Sequence, residues 1–265
     1  MITKHELEKL TEQYETIDFI KDDPIQFPHR FKNEKDIEIA AFISSLFAYG
    51  NRKVFIKKLD ELFEIMQNQP LKYVLNFDQK TLKGFNYRFA KDFDVIEVFN
   101  ILNKLYKEDG GLKKLFEHGY NVSRQLQLPP HPRGRIEVGG KVQLMLQTVT
   151  DYFYSNVKNK VGQGFYHLIP NPKNGGAMKR MNMFLRWMVR KGLVDLGIWD
   201  FISTSELLIP LDVHVARLSR EMSLLKRSSN DFRAVLELSE NLKIFNPNDP
   251  VKFDFAIFGL GVNKD

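Results

Sequence analysis

The sequence predicts an all-α protein, on three observations. Apolar residues recur at helical spacing through most of the 265 residues. Only one stretch alternates polar and apolar residues as a strand pair would. No repeat, low-complexity tract or obvious linker divides the chain, so two helical lobes woven from one chain fit better than two beads on a string.

Helices are expected at about 4–16 and 35–48. Ile56, Leu59, Leu62, Phe63 and Met66 form the next apolar stripe, and Val95, Val98, Phe99, Leu102 and Leu105 the one after it. The proline-rich loop LPPHPRG follows. RIEVGGKVQL, Arg135 to Leu144, then alternates around Gly139-Gly140 and reads as a short hairpin. Further helices are expected at about 141–157, 178–191, 213–225, 231–244 and 249–258.

A hydrophobic fraction of 43% and a charged fraction of 27% are those of an ordinary soluble domain. The 39 Lys and Arg exceed the 33 Asp and Glu, for a formal charge of +6, which favours an anionic partner. There is no cysteine, which removes disulfides, thiolate zinc sites, cysteine nucleophiles and cysteine-ligated iron–sulfur clusters. No signal-type apolar core opens the chain and no run of about 18 apolar residues follows. The expectation is a cytoplasmic protein without a membrane partner.

Several chemistries are set aside. The glycine-rich stretch Gly134 to Val142 has one glycine too many for a phosphate-binding loop, and Val142 stands where the magnesium-binding Ser or Thr belongs. The six histidines are scattered without metal spacing, so neither metal nor cofactor is expected. No Gly-x-Ser-x-Gly elbow occurs.

Two stretches carry more. In NGGAMKRMN, Asn174 to Asn182, Gly175 and Gly176 lead into a helix that begins near Lys179. Lys173, Lys179, Arg180, Arg186, Arg190 and Lys191 include no acidic neighbour between them. Lys179, Asn182, Arg186 and Arg190 share one helical face, opposite Met181, Phe184, Leu185 and Met188, and such a strip would suit a phosphate backbone. A solvated basic face after a flexible turn gives the same pattern. In IPLDVHVARLSREM, Asp212 sits where a loop enters a helix, the position of an N-cap, with His214 two residues on.

Together these strings resemble the helix-hairpin-helix DNA glycosylase superfamily, which includes endonuclease III and the 8-oxoguanine glycosylases. There a glycine hairpin leads to a lysine opening a helix, as Gly175-Gly176 leads to Lys179, and an aspartate within a VDTH or VDVH string opens a later helix, as in Leu211-Asp212-Val213-His214. The hairpin here is NPKNGG where LPGVG is usual. Lys179 and Asp212 stand 33 residues apart, wider than the separation of slightly under twenty in most members, so VRKGLVDLGIWDFISTSE lies between the signatures as an insertion. The archaeal 8-oxoguanine glycosylases look closest in this respect. The chain also resembles a family of conserved bacterial proteins in which NPKNG, LRWMVRK, IPLDVHVAR and FGLGV recur.

The resemblance implies a two-lobed glycosylase-like fold with a central groove, lobe A spanning about 36–185 and lobe B about 1–35 plus 195–265. It implies base-excision repair of double-stranded DNA carrying a damaged base, an oxidised purine being the expected lesion, by a monomer. Lys179 would attack the sugar C1′ and permit AP lyase cleavage, while Asp212 would stabilise the positive charge that develops on the sugar. Gly175, Gly176, Arg180, Asn182, Arg186 and His214 would contact DNA. Tyr49, Asn51, Arg52 and Phe258 would meet the flipped base or the gap it leaves. Phe47 and Phe255 read better as core. Two other classes stay open: a DNA-binding protein that keeps the fold without the chemistry, and a helical scaffold for protein partners.

Overall fold

The computed structural model describes residues 2–126 and 137–262, and within them the chain is helical, with three isolated β-bridges and no strand. Helix α1 (Lys4–Tyr14) starts at a capping box, in which Thr3 accepts from the Glu6 N–H and Glu6 accepts from the Thr3 N–H. After α2 (Ile17–Asp22), α3 (Glu34–Phe47) is capped by Asn33 and α4 (Arg52–Ile65) by Asn51. Pro70 opens α5 (Pro70–Leu75), its missing N–H costing nothing in the first turn. Helices α6 (Asp92–Glu108), α7 (Leu112–Gln125), α8 (Glu137–Ser155) and α9 (Gln163–Leu168) follow. The remaining helices are α10 (Lys179–Val189), α11 (Val213–Glu221), α12 (Phe232–Phe245) and α13 (Asp254–Val262).

The expected hairpin is corrected. Residues 135 and 136 lie outside the described residues, but from Glu137 onward the segment is the first part of α8. Val142, Met145, Leu146, Val149 and Phe153 are buried at helical spacing. That stripe secures the helix, which outweighs the roughly 1 kcal/mol that each helical glycine costs relative to alanine.

The chain divides into two compact units, each assembled from separated segments. One comprises Met1–Asp22, Ser123–Gln143 and Pro172–Asp265, and the other Asp23–Val122 and Leu144–Asn171. The division at Pro172, where a boundary near 185 is expected, places α10 in the same unit as α11.

The first unit packs α1 and α11 against α13 around Trp187, Phe184, Phe253 and Phe255. Phe184 meets Trp199 edge-on at 5.2 Å between centroids. The second unit has an aromatic core of its own, with Phe27 stacked on Phe63 at 4.9 Å and Phe77 on Phe99 at 5.4 Å. Its buried carboxylates are paired with donors. Glu97 accepts from the N–H groups of Lys158 and Asn159, and Asp94 from those of Lys91 and Gly162.

Among the described residues no helix is long and apolar enough to cross a membrane.

Candidate active site

The site is built at two helix starts. Before α10, Gly175 turns the chain with φ of +73°, a conformation that a side chain would strain. Its carbonyl accepts from the Phe232 N–H at 2.8 Å, and Gly176 forms an isolated bridge with Asp231, so the turn is tied to the start of α12. A Cβ placed on either glycine would meet nothing within 4 Å. The hairpin is therefore anchored on one side and open on the other. Met178 adopts the left-handed conformation, φ +51°, and caps α10 with no side-chain hydrogen bond, so Lys179 is the first helical residue.

Asp212 is the N-cap of α11. The N–H groups of His214 and Val215 donate to its Oδ1 at 2.9 and 2.8 Å. The other oxygen, Oδ2, lies 3.5 Å from Nζ of Lys179, with the lysine side chain 31% and the aspartate 15% exposed. One oxygen of the carboxylate thus fixes its orientation on the helix start while the second faces the amine. Both partners are half-buried and reachable.

The polar strip of α10 exists but faces inward, which corrects the expectation that it lines phosphate. Arg186 is 3% exposed; its Nε donates to Oδ1 of Asp195 at 3.2 Å and its Nη1 to Oδ2 of Asp254. Arg190 reaches Glu15, Asp195 at 3.0 Å and Asp249 at 2.8 Å. Asn182, 1% exposed, donates to the Ala177 carbonyl at 3.2 Å. The two guanidinium groups are bound by four carboxyl groups, and Asn182 is buried on the same face, so neither Arg186 nor Asn182 is placed to meet DNA. Arg180 is half-buried beside Lys179.

His214, half-buried, packs its Cβ against Gly261 of α13, at 3.2 Å from where a Cβ on that glycine would stand. Phe258 is half-buried, 6.1 Å from the Phe19 ring. Tyr49, Asn51 and Arg52 belong to the second unit. The Tyr49 hydroxyl donates to the Tyr87 carbonyl at 3.2 Å, and the Tyr87 hydroxyl donates back to that of Tyr49. Asn51 caps α4 by accepting from Val54 at 3.3 Å, and Arg52 is the first residue of that helix. Phe47 is buried against Phe85 and Tyr87, as its core reading expects.

A family model described as "Protein of unknown function (DUF2400)" matches residues 23–263. The chain belongs to this family. No curated protein and no solved structure matches it.

The span matched to the DUF2400 family contains Lys179, Asp212 and two residues that sequence reasoning missed, Asp195 and Asp254. Asp195 lies in the segment between the two signatures and Asp254 opens α13. The signal for Asp254 was present in KFDFAIF, an acid set in an apolar helix, because such an acid needs a buried partner. Burial raises the Asp254 carboxyl to about 7, opposed by the charge of Arg186 and assisted by that of Asp212. Its Oδ1 is buried without a hydrogen-bond partner. Among the described residues no group of His, Asp and Glu side chains has the arrangement to hold a metal ion.

Proposed function

We propose that this member of the DUF2400 family is a DNA base-excision glycosylase with AP lyase activity, acting through Lys179 and Asp212 within a helix-hairpin-helix glycosylase-like fold. The observation that carries the reading is the 3.5 Å approach of Lys179 Nζ to Asp212 Oδ2, two residues 33 apart in sequence that open different helices. Cleaving the bond at C1′ leaves positive charge on the sugar, and the Asp212 carboxylate is aimed where an amine already sits, so it would stabilise that charge. The Lys179 amine, once it has lost its proton, would add to C1′ as the damaged base leaves with the bonding electrons, and opening of the C1′–O4′ bond would give a Schiff base from which β-elimination nicks the strand. The open face of Gly175 and Gly176, with the uncapped start of α10, would admit a phosphate of duplex DNA. The substrate of this reading is a damaged base in double-stranded DNA, an oxidised purine first.

The test is incubation with duplexes carrying different lesions in the presence of borohydride. A covalent DNA adduct that is lost in Lys179→Gln supports the reading. No adduct with any lesion, or one that survives in Lys179→Gln, sinks the Schiff-base mechanism.

One observation favours a second reading, DNA binding without chemistry. Asp212 already has a structural task, since its Oδ1 satisfies two N–H groups of α11. Salt-sensitive, lesion-independent binding that is unchanged in Asp212→Asn would support it.

A further inference from the structure

The second unit holds a cavity that the pair at Lys179 does not use. Glu97, Asn100, Ile101, Lys104 and Glu108 follow at i, i+3, i+4, i+7 and i+11 along one face of α6, and that face floors a half-open space of about 620 Å³. The turn after α5, beginning near Phe77, makes one wall, and the turn after α8, from Asn156 to Asn159, makes another. The volume falls in the range of roughly 300–1,000 Å³ usual for small-molecule sites.

Both walls are tied to the floor by side chains. Asn103 spends its two amide protons on the Val74 and Leu75 carbonyls at the end of α5, at 2.6 and 3.1 Å. Lys104 donates to Oδ1 of Asn156 at 2.7 Å. Glu97, 1% exposed, accepts from the Lys158 and Asn159 N–H groups on Oε1 and from the Asn100 and Asn159 side chains on Oε2. Burial pushes its carboxyl up, but the hydrogen bonds from Asn159, Asn100 and the two N–H groups outweigh that and hold it below the usual carboxylate range. The lining is therefore set before any ligand arrives, which lowers the cost of binding.

The same bonds fix what the cavity offers. An ionised carboxylate only accepts, so the amide nitrogens of Asn100 and Asn159 face Glu97 and their oxygens face away from it. Among the described residues nothing donates to those two oxygens or to Oδ1 of Asn103. Phe77 and Ile101 supply the apolar part. Phe99 stacks on Phe77 at 5.4 Å and Tyr73 meets it edge-on at 5.6 Å, so the ring is braced from within the core. Asp78, Glu97 and Glu108 stand against Lys104 and Lys158, a net charge of −1 (2 − 3), which gives a phosphate no advantage. The ligand that fits is uncharged, planar and rich in donors.

We propose that this cavity binds an amino-bearing purine nucleoside, its ring lying against Phe77 and its exocyclic amino group donating to the carboxamide oxygens of Asn100 and Asn103. Ribose hydroxyls would supply donors for Asp78 and Glu108, the exposed carboxylates of the lining. A base with a carbonyl in place of the amino group would set oxygen against oxygen. Lys179 and Asp212 belong to the other unit, and the assignment does not depend on the reading of that pair.

The test is calorimetric titration of the full chain with adenosine and with inosine, in which a carbonyl replaces the amino group. Adenosine should bind, and inosine should bind at least about tenfold more weakly, the loss expected when polar groups built to pair are left unpaired. Phe77→Ala should weaken adenosine by about fivefold or more, as for the loss of one stacked base. Asn100→Leu removes an acceptor while Glu97 keeps its three other donors, so the melting temperature should hold and the preference for adenosine over inosine should fall at least about threefold. No adenosine binding at millimolar concentration overturns the proposal, as does inosine binding equally well or a preference that Asn100→Leu leaves intact. Binding of methyl glucoside without adenosine also overturns it, in favour of a sugar site. If Phe77→Ala fails to fold, the wild-type preference and Asn100→Leu decide.

Discussion

Nζ of Lys179 and Oδ2 of Asp212 stand 3.5 Å apart, and the chain between them also supplies Asp195, which is bound by Arg186 of the helix that Lys179 opens and by Arg190 at its C-cap. The segment that widens the spacing between the two signatures therefore adds a charge to the network under the site. Separate consequences follow for the cap, the arginine, the buried acid and the hairpin.

The two oxygens of Asp212 can be separated by mutation. Asp212→Ala removes the cap of α11 and should cost about 1 kcal/mol of stability. Asp212→Asn keeps an acceptor for the two N–H groups, so it should denature close to wild type while abolishing the base excision proposed above. Paired urea melts and excision assays check this; an alanine variant as stable as wild type would contradict the capping role.

Replacing Arg186 by Met should be among the most damaging changes in the protein. It strands the buried Asp254 and leaves the buried Asp195 to Arg190, and breaking such a network by removing one partner costs on the order of 3–5 kcal/mol. The combined variant Arg186→Met with Asp254→Asn should recover part of that loss. A double-mutant cycle in denaturant measures the coupling, and strict additivity would show the two groups to be independent.

Asp254 also predicts the direction of a pH dependence. Its folded carboxyl titrates at about 7 and an unfolded aspartate near 4. Between these values the folded chain holds a proton that the unfolded chain has released, so the stability contributed by this group is full below about pH 4 and is lost as pH rises through about 7. The stability of wild type relative to Asp254→Asn should therefore decline from pH 5 to pH 8. Denaturation midpoints at the two pH values test it, and a difference that grows with pH would reverse the assignment.

Gly176→Ala should leave folding nearly untouched, because its φ lies outside the left-handed region and a Cβ there meets nothing. If that open face receives a phosphate, the methyl group should weaken duplex binding several-fold with no change in melting temperature. The contrast is Gly164→Ala, where the new atom would stand 2.5 Å from the Phe89 carbonyl oxygen and from Cα of Ala90; overpacking of this kind costs about 1–3 kcal/mol. Melting and binding curves for the two variants separate the effects.

Periodicity made the helical class legible, and with it the helices that carry Lys179 and Asp212. The motif strings placed both residues at helix starts, where the structure has them. What lies opposite a helix face was not legible. The spacing of Asn182, Arg186 and Arg190 identified a common polar face, but the acids that occupy it, Glu15, Asp195, Asp249 and Asp254, arrive from distant parts of the sequence. A polar strip against such acids and one against phosphate read identically in one dimension. Helix α7 was missed although Leu112, Leu115, Phe116 and Tyr120 have helical spacing, since Gly119 lies inside the stripe. That glycine lets α8 approach; a Cβ there would stand 2.9 Å from the Met145 carbonyl oxygen. At Gly139-Gly140 local turn chemistry suggested a hairpin, and the apolar stripe downstream prevailed.

The packing of α1 against α13 has a consequence for the order in which the molecule is made. On the ribosome α1 emerges early, with Leu7 and the acid Glu15 destined for partners translated more than 170 residues later, among them Arg190. The second unit, whose segments finish at Asn171, can be complete while α1 still waits. Synthesis interrupted after Asn171 and before α13 would thus release chains with one finished half and one sticky, unpartnered helix, a form that chaperones would hold and proteases would clear.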